Sequence, residues 1–174
     1  MEFSTAVHLI EKGIYKSDTP QRWADLGAGD GLFTRALGSV LPENSSILAV
    51  DQNVSSLKFI RWNLKSVSLQ TQVDNFISMN WAENLDGILM ANALHYVSDQ
   101  VAFSLRLKTK LSPLGRLIVV EYERRQSNAW VPYPVDFKKL QELGEKAGFS
   151  SIVKLEETPS IFDGATIYSA VLSM

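Results

Sequence analysis

The sequence predicts an α/β fold with a seven-stranded, mostly parallel sheet, helices on both faces and a reversed terminal strand. Short apolar or β-branched runs alternate with stretches of helical periodicity, a pattern typical of βαβ units. A glycine-rich turn joins the first such run to the first long helical stretch. The last two strand-like segments follow each other without a helix between them, so we expect one of them to be antiparallel.

Length and composition indicate one globular domain spanning residues 1–174. The chain is 45% hydrophobic and 21% charged with a net charge of −2, so it lacks a global electrostatic footprint for nucleic acid or an anionic membrane. It has no cysteine and two histidines, which excludes thiol chemistry and a His-rich metal site, and we expect no metal. No apolar run approaches the roughly 18 residues of a membrane span, and residues 1–10 lack the apolar core of a signal peptide. We therefore expect a cytoplasmic protein.

Periodicity and turn residues predict the elements of the first half. A helix is expected over 3–14, because apolar residues recur there at helical spacing. A strand over 22–26 leads through the glycine turn into a helix that ends at Leu41, where Pro42 stops it. The next predicted elements are a strand over 46–51, a helix with Leu57, Ile60, Leu64 and Val67 on one face, and a strand over 70–73.

The second half continues the alternation. A strand over 85–91 precedes a helix that Ser98 or Asp99 caps, that runs to Leu111, and that a turn over 112–115 closes. The remaining predicted elements are a strand over 116–122, a helix over 135–147, and strands over 151–156 and 166–172. The predicted core therefore spans 22–123, and a C-terminal helix and hairpin fill 135–174.

Polar residues follow the predicted strands at the edge where an open α/β sheet binds its ligands. The groups offered there are the glycine turn at 27–31 and the side chains of Asp51, Asp74, Asn75 and Asn92. Asp51 ends the second strand about 20 residues after the glycine turn, which suits a carboxylate that accepts hydrogen bonds from both hydroxyls of a ribose. Nicotinamide and adenosyl cofactors both carry such a ribose.

Two details favour S-adenosylmethionine (SAM) over a dinucleotide. A dinucleotide fingerprint needs its third glycine at the position of Leu32, whereas the glycines here alternate at 27, 29 and 31. Asp25 lies two positions before the first glycine, where a carboxylate suits a cationic amino-acid end better than a pyrophosphate. A nicotinamide-dependent oxidoreductase is therefore the disfavoured alternative.

Five segments in order resemble the class I SAM-dependent methyltransferases, in their small-molecule, type-11-like branch: 25–31, 50–51, 73–76, 85–97 and 114–120. The resemblance extends over about 22–123. It implies a Rossmann-like fold, SAM as cofactor, and in-line transfer of a methyl group to a small-molecule acceptor. The cofactor-binding residues that follow are Asp25, Gly27, Gly29, Gly31, Asp51, Gln52, Asp74, Asn75 and Asn92.

The sequence departs from the nucleic-acid branches of that family. The fourth strand is not followed by an Asn/Asp-Pro-Pro-Tyr/Phe motif, and the chain has no cysteine for covalent attack on a pyrimidine. A nucleic-acid acceptor is therefore disfavoured. The open alternatives are a non-catalytic SAM-binding partner or regulatory subunit, and an RNA or protein methyltransferase. The sequence leaves homo-oligomerisation undecided.

His95 and Tyr96 are the predicted catalytic residues. They follow the fourth strand, near the expected methyl group, and an imidazole can accept a proton near neutral pH. The alternatives are that His95 is hydrogen-bonded within the fold and that Tyr96 only packs. Other candidates are Glu121 and Tyr122, which face either substrate or solvent, and Tyr15, Trp130 and Tyr133, which could line an acceptor pocket.

Overall fold

The computed structural model describes residues 1–80, 84–160 and 164–174 and has the predicted α/β architecture. Its strands are β1 Arg22–Leu26, β2 Ser46–Asp51, β3 Ser68–Val73, β4 Leu85–Ala91, β5 Leu111–Tyr122, β6 Ser151–Pro159 and β7 Thr166–Ser173. Its α-helices are α1 Phe3–Ile10, α2 Leu32–Val40, α3 Val54–Lys58, α4 Gln100–Lys108 and α5 Phe137–Lys146. Among the described residues, no helix combines the length and the apolar character that crossing a bilayer requires.

The strands form one sheet in the order β3-β2-β1-β4-β5-β7-β6. Strands β1 to β5 pair in parallel, and β7 is antiparallel to both β5 and β6. The predicted mostly parallel sheet with a reversed terminal strand is therefore confirmed. The chain moves outward from β1 to β2 and β3, then returns to place β4 on the other side of β1, so the strand order reverses at the carboxyl ends of β1 and β4.

Helices cover both faces of the sheet. Successive side chains of a strand point to opposite faces, so apolar residues on both faces need helices to bury them. In β5, Ile118 and Val120 join the core under α1 and α2, while Leu117 and Val119 join the core under α4 and α5. The continuous apolar run of a central strand thus supplies two separate cores.

The helix predicted to extend to Val67 is wrong. Helix α3 ends at Lys58, and residues 59–67 form an irregular segment instead. Two apolar residues of that segment pack on α2: a Cβ atom at Gly38 would meet Trp62 Cη2 at 2.3 Å and Leu64 Cδ1 at 2.9 Å. Trp62 Nε1 also donates to Val67 O at 3.0 Å. Tertiary packing therefore overrides the helical spacing of this stretch.

The boundary between α4 and β5 also differs from the prediction. Helix α4 ends at Lys108 rather than at Leu111, and β5 begins at Leu111 rather than at residue 116. Leu85 pairs with Leu111 but Gly87 pairs with Arg116, so residues 112–115 bulge out of the strand. The predicted turn is this bulge. Similarly, the predicted helix over 3–14 ends at Ile10 and continues as a 3₁₀ turn over Glu11–Gly13.

Candidate cofactor and acceptor site

The glycine turn after β1 has a left-handed backbone at Gly27, Gly29 and Gly31, with φ of 78°, 55° and 83°. The amides of Gly27 and Ala28 donate to Val50 O at 2.8 and 3.0 Å, which ties the turn to the end of β2. The glycines differ in their surroundings. A Cβ atom at Gly27 would lie 2.7 Å from Ala93 Cβ, whereas one at Gly29 would meet no described atom within 4 Å. Gly29 is therefore where a ligand can approach the backbone of this turn.

Asp51 lies beside that opening. Its Oδ2 accepts a hydrogen bond from the Gly29 amide at 2.8 Å, and its Oδ1 accepts one from the Asn53 amide at 2.8 Å. The carboxylate is half-buried at the end of β2. Because two carboxylate oxygens offer about four acceptor positions, Asp51 keeps the capacity to accept hydrogen bonds from a ligand.

Asp25 is enclosed beneath the turn, with 1% of its surface exposed. Thr34 Oγ1 donates to its Oδ2 at 2.6 Å, while its Oδ1 has no hydrogen-bond partner among the described residues. Burial raises the pKa of the Asp25 carboxyl to about 7, the Thr34 hydrogen bond opposes that shift, and the nearby charge of Asp51 adds to it.

Asn92 provides a second enclosed acceptor, at the end of β4. Its backbone is left-handed, with φ of 52°, and its amide donates to Val120 O at 2.8 Å. Its side-chain Oδ1 is also buried without a partner in the described part of the chain. Leaving a buried acceptor unpaired costs about 1–3 kcal/mol. Since Asp25 lies in β1 and Asn92 directly follows the adjacent strand β4, a ligand that donates hydrogen bonds fits this end of the sheet.

The remaining predicted cofactor residues lie at the same edge. The Asp74 amide donates to Asp51 O at 3.1 Å, which brings the end of β3 beside the end of β2. Asp74 and Asn75 side chains also cap local turns, through the amides of Asn75 at 2.7 Å and of Ile77 at 2.9 Å. Gln52 is exposed. Cofactor contacts for these three residues stay predictions.

His95 and Tyr96 lie in a 3₁₀ turn over Leu94–Tyr96 that follows β4. Tyr96 is 51% exposed, whereas His95 is only 2% exposed, and their ring centroids are 4.3 Å apart. Glu121, near the end of β5, binds His95 twice: Oε2 lies 2.7 Å from Nδ1, and Oε1 accepts the His95 amide at 3.1 Å. The sequence left Glu121 undecided between substrate and solvent. Its one signal was an acid directly after the apolar run 117–120.

The predicted aromatic pocket residues are separated. Tyr133 donates its amide to His95 O at 3.0 Å and also lines a cavity of about 510 Å³ between the loop after β5 and the start of α5. Tyr15 lines a different cavity, beside α1 and the end of α2. The described residues contain no cluster of three or more His, Cys, Asp or Glu side chains that could hold a metal ion.

Comparison with known proteins connects this site to a family. The sequence model of the family described as "Methyltransferase domain" matches residues 24–119 of the chain. A curated relative, the ubiquinone/menaquinone biosynthesis C-methyltransferase UbiE of Edwardsiella ictaluri, is 30% identical over 135 residues, covering 72% of this chain and 53% of the relative. The chain therefore spans about half the length of that relative.

Solved structures share the fold at low sequence identity. The YcgJ protein of Bacillus subtilis matches with a TM-score of 0.74 and 12% identity, covering 97% of this chain and 96% of that one. A SAM-dependent methyltransferase from Aquifex aeolicus matches with a TM-score of 0.68 and 16% identity, covering 99% of both chains. The phosphoethanolamine N-methyltransferase 2 of Haemonchus contortus, solved with S-adenosyl-L-methionine, has a TM-score of 0.74 and 13% identity over 98% of this chain and 52% of that one. The match to the family over more than half of the chain, on the fold predicted for it, establishes that this chain belongs to the methyltransferase-domain family.

Proposed function

We propose that this chain is a SAM-dependent methyltransferase that acts on a small-molecule acceptor. The observation that carries the proposal is a pair of buried oxygen atoms, Asp25 Oδ1 and Asn92 Oδ1, at the carboxyl ends of adjacent strands. Neither atom has a hydrogen-bond partner among the residues that the structure describes. These atoms accept hydrogen bonds, and the open backbone at Gly29 follows directly after the first of these strands. Family membership supports the same function.

Each part of the cofactor has a chemically suited residue. Asp51 would accept hydrogen bonds from the ribose hydroxyls, as a carboxylate at the end of the second strand does in related folds. Asp25 and Asn92 would accept hydrogen bonds from the cationic α-amino group, which relieves their unpaired state. The N-terminus of α2, a helix of nine residues, offers its positive dipole end to the carboxylate of the cofactor.

Methyl transfer requires this chain mainly to position the methyl donor and the acceptor. Bound SAM supplies a methyl group on a positively charged sulfonium, from which an acceptor takes it in line. The residues around the turn would hold that donor in one orientation, and the buried carboxyl of Asp25 would contact it away from bulk water. Orientation and desolvation of this kind contribute several kcal/mol each in favourable cases.

The acceptor class is a small molecule, supported by the curated relative that acts in quinone biosynthesis. That relative is named a C-methyltransferase and the Haemonchus contortus protein an N-methyltransferase, so the methylated atom differs among similar proteins. We extend the proposal to residues 1–174 as one SAM-binding domain of a cytoplasmic enzyme without a membrane or nucleic-acid partner. The alternative is a SAM-binding subunit without activity.

Titration calorimetry with SAM, S-adenosylhomocysteine and NADH tests the proposal. We expect the wild type to bind both adenosyl ligands, and Asp51→Asn to bind them at least about tenfold more weakly, because a hydrogen bond to a charged group contributes about 1.5–3 kcal/mol. Asp18→Asn is the matched control, since Asp18 is exposed in the loop that leads into β1. Binding of NADH without either adenosyl ligand would overturn the proposal. Cofactor binding without release of S-adenosylhomocysteine from any acceptor would favour the non-catalytic alternative.

A further inference from the structure

Glu121 and His95 form a buried pair that joins the turn after β4 to the end of β5. The two side chains are 1% and 3% exposed, and Oε2 of Glu121 lies 2.7 Å from Nδ1 of His95. The other carboxylate oxygen accepts the backbone amide of the same histidine at 3.1 Å. One carboxylate thus binds both the backbone and the ring of His95, which fixes the ring orientation.

The pairing determines which ring nitrogen can accept a proton. An ionised carboxylate only accepts hydrogen bonds, so beside an ionised Glu121 the Nδ1 atom donates and, in the neutral ring, carries the proton. Nε2 then carries the lone pair. Within the described part of the chain, Nε2 of His95 has no hydrogen-bond partner. It is not one of the fully buried polar atoms without a partner, so part of its surface stays accessible. A proton-accepting nitrogen is therefore left available.

The surroundings prevent the ring from turning away. The rings of Tyr96 and Tyr122 lie with their centroids 4.3 and 6.4 Å from that of His95. The carbonyl of His95 accepts the Tyr133 amide at 3.0 Å, and Gln100 Nε2 donates to Tyr133 O at 2.8 Å. The turn that carries His95 is thus held from β5, from the loop before α5 and from α4.

Holding this turn does not itself require a charged group. A buried carboxylate loses several kcal/mol of hydration, which its partners must offset, whereas a neutral side chain could accept the same backbone amide. An ionised Glu121 has a distinct use: it stabilises the positive charge that forms when His95 accepts a proton.

We propose that Glu121 is a positioning residue that holds His95 with Nε2 as the proton acceptor, and that the acceptor substrate therefore carries a proton on its reacting atom, as a phenolic or enolic hydroxyl or an acidic carbon does. The inference rests on the proposed methyl transfer. The acceptor X–H bond breaks, and its proton moves to His95 Nε2. The electron pair of that bond forms the new X–CH₃ bond, while the pair of the S–CH₃ bond stays on sulfur. The resulting imidazolium, paired with Glu121, later releases its proton to solvent.

The tautomer can be measured without cofactor or acceptor. Long-range ¹H–¹⁵N correlation of the imidazoles should give two ring systems, because the chain has two histidines, and exposed His8 serves as the internal control. We expect His95 at pH 7.5 to be protonated on Nδ1 and not on Nε2, and Glu121→Gln to remove that preference. Protonation of His95 on Nε2 in the wild type would overturn the proposal, whatever the cofactor titrations show.

The proton-acceptor role needs a kinetic readout. We would measure S-adenosylhomocysteine release at pH 7.5 with catechol and acetylacetone, whose reacting atoms carry acidic protons, and with pyridine, whose nitrogen carries no proton at this pH. We expect turnover of at least one acidic probe and none of pyridine. Glu121→Gln and His95→Gln should lower kcat by about 10²–10⁴-fold, while SAM affinity stays within twofold of the wild type.

Glu145→Gln, at an exposed position of α5, is the control and should leave kcat unchanged. If Glu121→Gln does not fold, His95→Gln alone tests the proton-acceptor role, because it keeps the backbone amide whose hydrogen bond Glu121 accepts. Undiminished kcat in His95→Gln would overturn the proposal. Turnover of pyridine alone, or of no probe by a protein that binds SAM, would overturn the acceptor class. Absence of SAM binding would instead refute the proposed function and leave the tautomer result standing.

Discussion

The backbone amide of Gly29 donates a hydrogen bond of 2.8 Å to Oδ2 of Asp51, across 22 residues of sequence. This contact joins the turn after β1 to the acid that ends β2. The carboxylate proposed to bind the ribose therefore also holds the backbone on which the rest of the cofactor would lie. Cofactor affinity and the geometry of the turn are consequently coupled through one side chain.

Alanine substitutions at two glycines of the turn should affect the stability of the fold and the affinity for the cofactor differently. In Gly29→Ala the new methyl group meets no described atom within 4 Å, so only the left-handed backbone is penalised, by about 1–2 kcal/mol. The methyl group would nevertheless occupy the ligand's approach. We expect a small decrease in the free energy of unfolding and at least a tenfold loss of S-adenosylhomocysteine affinity.

Gly27→Ala is the matched comparison, because its Cβ would lie 2.7 Å from Ala93 Cβ. It should lose more stability than Gly29→Ala, since the clash adds about 1–3 kcal/mol to the backbone strain. Urea denaturation and calorimetry measure both effects. Wild-type affinity in Gly29→Ala would contradict the assignment of Gly29 as the ligand's approach.

Asp25 should make the ligand-free protein less stable as pH rises. Its pKa is raised from 3.8 to about 7 in the folded state, so between these values the folded state binds more protons than the unfolded state. The free energy of unfolding must therefore fall as pH rises through this window, by on the order of 4 kcal/mol in total. Asp25→Asn should flatten this dependence and be more stable than the wild type at pH 8. A wild-type stability that rises from pH 5 to pH 8 would contradict the prediction.

Cofactor binding should release a proton from Asp25. A cationic amino group beside the carboxyl lowers its pKa, so at pH 7 roughly half a proton should leave on binding, given the starting pKa of about 7. The apparent binding enthalpy of SAM should then differ between phosphate and Tris buffers, which differ in ionisation enthalpy. Asp25→Asn should remove the Asp25 contribution to that difference. Equal enthalpies in the two buffers for the wild type would refute the coupling.

Gly87 should not tolerate a side chain. Its Cα faces the indole of Trp23, and a Cβ atom there would lie 2.3 Å from Cη2 and Cζ3 of that ring. Trp23 is buried and its Nε1 donates to Gln21 Oε1 at 2.9 Å, so the ring cannot easily move aside. We expect Gly87→Ala to lose about 3 kcal/mol of unfolding free energy. Trp23→Phe should be less destabilising in the Gly87→Ala background than in the wild type, because the smaller ring leaves room for the new methyl group. If the losses of unfolding free energy in this double-mutant cycle were additive, they would contradict the clash.

Much of the fold could be predicted because its signals are local. The alternation of strand and helix patterns, the glycine turn and the lone terminal hairpin each lie within a short stretch of sequence, and the observed sheet confirms the class they predict. The predicted helix over residues 59–67 was wrong because tertiary packing outweighs the local pattern there. The apolar spacing of residues 59–67 fits a helix, but Trp62 and Leu64 pack around Gly38. A sequence pattern within this stretch cannot predict that contact, because Gly38 lies in a different helix.

The sequence by itself determined the fold class, the family resemblance, and the candidate positions Asp25, Asp51 and Asn92 at strand ends. Only the tertiary structure paired His95 with Glu121, which lies 26 residues further along the chain. It also left one oxygen of Asp25, Oδ1, and Oδ1 of Asn92 buried without a hydrogen-bond partner among the residues that the structure describes. The physical reason is that periodicity reports which side of its own element a residue faces. Which side chains meet is decided by the order and register of the strands, and these depend on the packing of the whole sheet.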